Sequence, residues 1–315
     1  MRTFELGTTG VEVSAFCLGA MFFGSRTKPE ASYAILDQYV AAGGRFIDTA
    51  NIYAHWVDGC EGGESETLLG EWMRRRGNRH ELILASKVGF PAPVDDLEQG
   101  LRAEQIERAV EGSLTRLGVE TIDLYYAHVD DRTTPLAETM EAFHRLVTAG
   151  KVRWLGASNF LAWRMAKANA LAEAEGWTPY CCIQQRYSYL RPRPGASFGA
   201  QIAVNDDLLD YCASEDVTLL AYSPLLSGAY TREERDFDQQ YQWPDQAPRL
   251  KALYDVAGEL GATANQVILA WMVQSDPPVI PLVAGSTTDQ MAENLAALEL
   301  KLSAEHMQRL NDAGL

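Results

Sequence analysis

The feature that most constrains the fold is an alternation, repeated eight times, of a short apolar run with a longer amphipathic one. Apolar runs of strand length lie at 15–18, 46–48, 82–86, 122–126, 153–157, 181–184, 218–221 and 279–282. Helix-period stretches fall between them at 30–42, 64–76, 104–117, 136–149, 160–175, 205–215, 250–260 with 264–274, and 288–298. Such alternation predicts a parallel sheet covered by helices, and eight units can close into a (β/α)8 TIM barrel. An open doubly wound sheet would carry Gly-x-Gly-x-x-Gly after an early strand. Here Gly7 and Gly10 sit in a turn, and Gly19 and Gly24 have the wrong spacing. Ahead of the repeats, Thr3-Phe4-Glu5-Leu6 and Val11-Glu12-Val13 flank Gly7-Thr8-Thr9-Gly10, which predicts an N-terminal β-hairpin. No linker, internal repeat or low-complexity tract divides the chain, so residues 1–315 read as one domain.

Four polar residues fall at the ends of the early apolar runs. Asp48 and Tyr53 close the run that starts at Arg45, Lys87 closes the next, and His128 the one after. Ionisable groups at the C-terminal ends of parallel strands are how a barrel enzyme builds its active site. The residue types suit one chemistry. A phenol is a poor acid at neutral pH, but a nearby ammonium favours phenolate and is expected to lower its pKa. A carboxylate fixes the ammonium. A histidine orients a carbonyl oxygen or shuttles a proton. Together they suit protonation of a carbonyl oxygen as hydride reaches its carbon. No side chain donates hydride, so a nicotinamide cofactor is implied. Taken singly, each residue is better explained as packing or as a strand-end polar group; the joint occurrence points to catalysis.

The stretches Phe46-Ile47-Asp48-Thr49-Ala50-Asn51-Ile52-Tyr53, Gly63-Glu64-Ser65-Glu66, Gly150-Lys151-Val152-Arg153-Trp154-Leu155-Gly156-Ala157-Ser158-Asn159-Phe160 and Ala221-Tyr222-Ser223-Pro224-Leu225 resemble the aldo-keto reductases over nearly the whole chain. The likeness is to the channel-β-subunit-like and bacterial branch rather than the aldose reductase branch. It implies that Tyr53 is the general acid, that Lys87 and Asp48 tune it, and that His128 orients the substrate carbonyl. It also implies that Ser158, Asn159 and Gln184 bond the nicotinamide carboxamide, that Tyr222 stacks on the ring, and that Gln290 and Asn294 meet adenine.

Phosphate is expected in the loops after strands seven and eight of such a barrel. The first holds Ser223, Pro224, Leu225, Ser227 and Gly228; the second holds Gly285, Ser286 and Thr287 and opens a helix. Helix N-termini attract anions, although Thr288 could simply cap that helix. Relatives often place a basic residue before the last helix to meet the 2′-phosphate of NADP. This chain has Ser286, Thr287 and Thr288, so a cation would have to come from Arg232, Arg235, Arg249 or Lys251. Leu226 also stands where a glycine is common. NADP is the expected cofactor, with NAD open.

The formal charge of −16 argues against nucleic acid and anionic membrane surfaces as partners. No apolar run is long enough to span a membrane, and the N-terminus lacks the apolar stretch of a signal peptide. Five cysteines with no paired spacing argue against disulfides and zinc and fit a cytoplasmic protein; no metal is expected. The expected partner is a small carbonyl or alcohol substrate, sugar-like by the polar loops, and a homo-oligomer stays open. The pocket wall is expected from Phe23, Trp56, Phe90, Tyr189, Phe198 and Trp243, and barrel packing from Trp72, Trp154 and Trp163. Glu64 and Glu66 read as helix-start charge. The rival to an enzyme is a nucleotide-binding regulatory module with little turnover.

Overall fold

The computed structural model describes residues 1–91 and 99–314. Strands β1 (Thr3–Glu5) and β2 (Glu12–Ser14) pair antiparallel as the expected hairpin, with Thr3 opposite Ser14. Eight parallel strands follow: β3 (Cys17–Gly19), β4 (Phe46–Asp48), β5 (Ile83–Val88), β6 (Ile122–Ala127), β7 (Val152–Ser158), β8 (Tyr180–Arg186), β9 (Thr218–Tyr222) and β10 (Ile280–Val283). They pair in chain order, and β10 closes the barrel on β3 through Leu282 opposite Cys17. The helices are α1 (Pro29–Ala41), α2 (Glu64–Arg76), α3 (Ala103–Leu117), α4 (Leu136–Thr148), α5 (Ala162–Glu175), α6 (Asp206–Ser214), α7 (Gln246–Leu260), α8 (Ala264–Gln274), α9 (Thr288–Ala296) and α10 (Ala304–Asp312). Among the described residues no helix is long and apolar enough to cross a membrane.

Two helical details differ from the sequence reading. Helix α7 starts upstream of Pro248, because a proline in the first turn sacrifices no intrahelical hydrogen bond. Helix α10 is additional. Its capping box pairs Ser303 with His306, which replaces the usual Glu or Gln, so the start signal is easily missed.

Two apolar clusters hold the barrel. The larger lies between strands and helices, where period-two alternation sends every second strand residue outward. The smaller fills the interior with Cys17, Phe46, Ala85, Leu124, Tyr126, Cys182, Leu220 and Ile280, and the hairpin seals it with Leu6 and Val13. Gly156 is required here: a Cβ would fall 2.5 Å from the Tyr126 ring. Trp72 is buried as expected, and Trp154 packs half-buried against the inner cluster. Trp163 does not pack in the barrel. It is 53% exposed under the Arg132 guanidinium, since its position on α5 faces solvent.

Candidate active site

The C-terminal rim of the barrel gathers the four sequence-predicted catalytic residues. Asp48 ends β4, Lys87 is the penultimate residue of β5, and His128 directly follows β6. Tyr53 comes from the loop after β4 and folds back over Lys87. The Lys87 ammonium spends its three donors on Asp48 Oδ1 at 2.5 Å, the Tyr53 hydroxyl at 2.7 Å and the Thr49 carbonyl at 2.8 Å. Gln184 Nε2 donates to the other Asp48 oxygen at 2.9 Å. The His128 ring stands edge-on to Tyr53 with centroids 5.9 Å apart, and Phe90 packs on it at 4.9 Å. His128 Nδ1 is buried without a hydrogen-bond partner among the described residues.

Burial dominates the protonation states. It pushes the Tyr53 phenol well above its usual range, and the Asp48 charge adds to the effect. This corrects the expectation that Lys87 lowers the phenol pKa. Lys87 is paired with Asp48, so little net positive charge reaches the phenol, and the phenol keeps its proton. Burial raises Asp48 and lowers Lys87, each opposed by the partner's charge. His128 is held well below its usual value by burial and then by Lys87, which makes it a neutral imidazole.

A layer of supports behind these groups escaped sequence reasoning. Ser65 Oγ donates to the Ala20 carbonyl at 2.7 Å and bonds the Thr49 hydroxyl at 2.7 Å, which steadies the loop whose carbonyl receives Lys87. Glu66 is fully buried. It accepts from Ser86, the neighbour of Lys87, at 2.5 Å, and from Arg116 Nε at 2.7 Å. The helix-start role holds for Glu64, which accepts from the Glu61 and Gly62 amides, but Glu66 ties α2 to β5 and α3. Gly63 makes this possible: at φ 87 its missing Cβ would fall 2.7 Å from Arg116 Cδ.

A cavity of ≈ 840 Å³ opens over this floor and touches Asp48, Tyr53 and His128. Ser158, Asn159, Gln184, Tyr222, Ser223, Pro224, Leu225, Ser227, Gly228, Gly285, Ser286, Gln290 and Asn294 line it too. Lys87 lies behind the lining, and Thr287 caps α9 by accepting from Gln290 N at 3.3 Å, the role first considered for Thr288. Asn159 links the rim: it donates to the His128 carbonyl and accepts from the Tyr222 hydroxyl at 2.7 Å. His55, Arg26, Arg186, Gln201 and Glu293 line the cavity without having been singled out. For Arg186 the signal was present, since it lies two residues beyond Gln184 on one strand. A neighbouring cavity of ≈ 750 Å³ contains none of the four catalytic candidates.

The wall residues divide. Phe22, Phe23, Trp56 and Phe90 line the cavity. Tyr189 packs on Trp271, Phe198 on Tyr241, and Trp243 donates to the Arg191 carbonyl, so these three expected wall residues lie outside it. The four candidate cations divide as well. Arg249 is buried against Asp245 at 3.0 Å and Lys251 pairs with Asp255 at 2.6 Å. Arg232 and Arg235 line the cavity and form no ion pair among the described residues. Ser223, Leu226 and Ser227 adopt positive φ, so this loop turns its backbone tightly beside the cavity. Hydroxyls, neutral amides, a tight loop and two guanidiniums form a donor set that fits a dinucleotide.

A half-buried phenol on a buried ammonium and carboxylate, at the mouth of a closed parallel barrel beside a dinucleotide-sized cleft, defines a carbonyl-reducing oxidoreductase. The chain belongs to the aldo/keto reductase family, whose model matches residues 15–314. It is 33% identical to norsolorinic acid reductase stcV of Emericella nidulans, covering 96% of this chain and 79% of that protein. It is 33% identical to the uncharacterized oxidoreductase YrpG of Bacillus subtilis, covering 98% and 94%. It is 32% identical to an aryl-alcohol dehydrogenase [NADP(+)] of Phanerodontia chrysosporium, covering 96% and 83%.

Proposed function

We propose that this chain reduces aromatic aldehydes or ketones to alcohols with NADPH, Tyr53 acting as the proton donor. The observation that carries the reading is the 2.7 Å contact between the Tyr53 hydroxyl and the Lys87 ammonium, whose other donors go to Asp48 and the Thr49 carbonyl. The bound nicotinamide supplies the hydride, two electrons and a proton, to the carbonyl carbon. Tyr53 gives its proton to the carbonyl oxygen, which restores the proton balance of the alcohol. Burial keeps the phenol protonated at rest. As the proton leaves, negative charge develops on the phenol oxygen beside Lys87, so the ammonium stabilises the transfer more than the resting state. Neutral His128 orients the carbonyl oxygen with a ring N–H, and solvent reprotonates the phenol.

An aromatic substrate is favoured over the sugar-like one expected from the loops. Phe22, Phe23, Trp56 and Phe90 offer ring faces and edges, and aromatic pairs gain beyond simple burial. The names of the fungal relatives, a norsolorinic acid reductase and an aryl-alcohol dehydrogenase, point the same way. NADPH is favoured because Arg232 and Arg235 are free to meet a phosphate, whereas the first turn of α9 carries Asp289, which offsets the pull of the helix end.

The test is Tyr53→Phe assayed with benzaldehyde and NADPH. Turnover should fall by roughly 10²–10⁴-fold, the usual worth of general acid catalysis, with NADPH affinity nearly unchanged. Turnover close to wild type would remove Tyr53 from this role.

A further inference from the structure

Arg186 has no established part in the reaction, yet it occupies a commanding position. It is the last residue of β8 and lies two residues beyond Gln184, whose amide reaches Asp48. Strand alternation therefore points Cys182, Gln184 and Arg186 to the same inner face, with Arg186 at the mouth. Gln185, between them, faces outward and bonds the Phe160 carbonyl. The Arg186 guanidinium is half-buried and its partners are neutral. Nε and Nη2 both donate to Gln201 Oε1, at 3.2 and 2.8 Å, and the group lies over the rings of Phe198 at 4.5 Å and Tyr222 at 5.8 Å. No carboxylate pairs with it among the described residues. Arg26, over Phe22 at 4.8 Å, is a further cavity cation without an acidic partner among the described residues.

The two acids on the cavity wall are otherwise engaged: Asp48 with Lys87, and Glu293 with the Thr263 hydroxyl. A chain of formal charge −16 thus places uncompensated positive charge over its catalytic floor. A half-buried guanidinium resting on aromatic faces is preorganised to bind a carboxylate in two-pronged fashion. It is also less screened than a surface charge.

We propose that Arg186 makes the enzyme selective for aromatic carbonyl compounds that carry a carboxylate, with Arg186 as the anion's partner. The proposal rests on the reductase function above. It assigns the carboxylate to the substrate and not to the cofactor phosphates, because Arg186 stands at the nicotinamide end of the cavity, over Tyr222 and two residues beyond Gln184, where the cofactor offers no anion, while Arg232 lies against Gly228 in the loop expected to hold phosphate.

The experiment compares kcat/KM for 4-formylbenzoate and 4-formylbenzamide, which differ little in size but by one charge, with NADPH. Wild type should prefer the benzoate by about 10- to 100-fold, the worth of a hydrogen bond to a charged group. Arg186→Met should bring the ratio close to one while NADPH affinity stays unchanged, and Arg186→Lys should keep part of the preference. Added KCl should shrink the wild-type preference, a readout that needs no variant. The proposal is overturned if wild type shows no preference or if Arg186→Met keeps the wild-type ratio. It is equally overturned if Arg186→Met weakens NADPH binding and slows both aldehydes alike, which would give Arg186 to the cofactor phosphates. Turnover of both aldehydes without charge preference would leave the reductase function standing, whereas turnover of neither would sink that function as well.

Discussion

The two ends of the cavity are built on different principles. At the catalytic end, Asp48, Lys87 and the Thr49 carbonyl sit on or directly beside strands, are buried, and meet at 2.5–2.8 Å. At the other end, loop 223–228 carries neutral groups, the first turn of α9 adds the acid Asp289, and positive charge comes from exposed Arg232 and Arg235. A strand end fixes a side chain through the sheet's own hydrogen bonds, so chemistry that depends on tenths of an ångström belongs there. A phosphate needs only positive potential and free donors, which exposed side chains supply at lower precision.

If that contrast is real, the largest effects should come from the strand-borne floor. Lys87→Met should lower kcat by about 10²–10⁴-fold, because the developing phenolate loses its ammonium. The pH behaviour adds a sign. Tyr53 is raised and His128 lowered, so neither titrates between about pH 6 and 9 and wild-type reduction should be level there. Without Lys87 the phenol should rise further and Asp48 should lose its counter-ion. Full activity with an unshifted profile would reduce Lys87 to packing.

The supports behind the floor should come next. Ser65→Ala removes the link from α2 to Thr49 and should lower kcat by about threefold to tenfold, the range of one hydrogen bond, without changing NADPH affinity. In the Lys87→Met background the same change should cost no further activity, since Ser65 acts through the Thr49 carbonyl that holds Lys87. Additive losses in the double variant would show that Ser65 merely stabilises the fold. Glu66→Gln leaves Arg116 without its counter-charge. It should lower unfolding free energy by about 1–3 kcal/mol, less than the roughly 3–5 kcal/mol of a fully buried broken pair because Arg116 is partly exposed. Denaturant titration would read this, and an unchanged midpoint would count against it.

The same contrast explains what the sequence made legible. Eight alternations foretold the barrel because each unit carries its own period. Asp48, Lys87 and His128 could be placed because a strand end is visible as the end of an apolar run. Tyr53 was reachable only through its motif, since the loop that folds it over Lys87 has no period. Glu66 was misread because a carboxylate in a first helical turn looks the same whether it faces solvent or is buried against Arg116 fifty residues away. The candidate cations were ambiguous for a similar reason: the sequence does not show that Arg249 is buried against Asp245 while Arg232 stays exposed at the cavity.

The smallest effect should appear at the loop-borne end. Arg232 lies against Gly228, where a Cβ would come within 3.2 Å of its Nε, so its guanidinium covers the loop beside the cavity. Arg232→Ala should weaken NADPH binding by roughly tenfold, the low end for a charge-assisted contact because exposure screens it. Binding of NADH, which lacks the 2′-phosphate, should change far less, and Arg235→Ala should behave similarly or more weakly. Dissociation constants for both cofactors at two salt concentrations decide the matter, since a surface cation meeting a phosphate must lose affinity as ionic strength rises. Equal binding of NADH and NADPH by wild type, or variants that leave their ratio unchanged, would mean that the arginines do not discriminate and that the hydroxyls of Ser286 and its neighbours receive the nucleotide without reading its 2′-position.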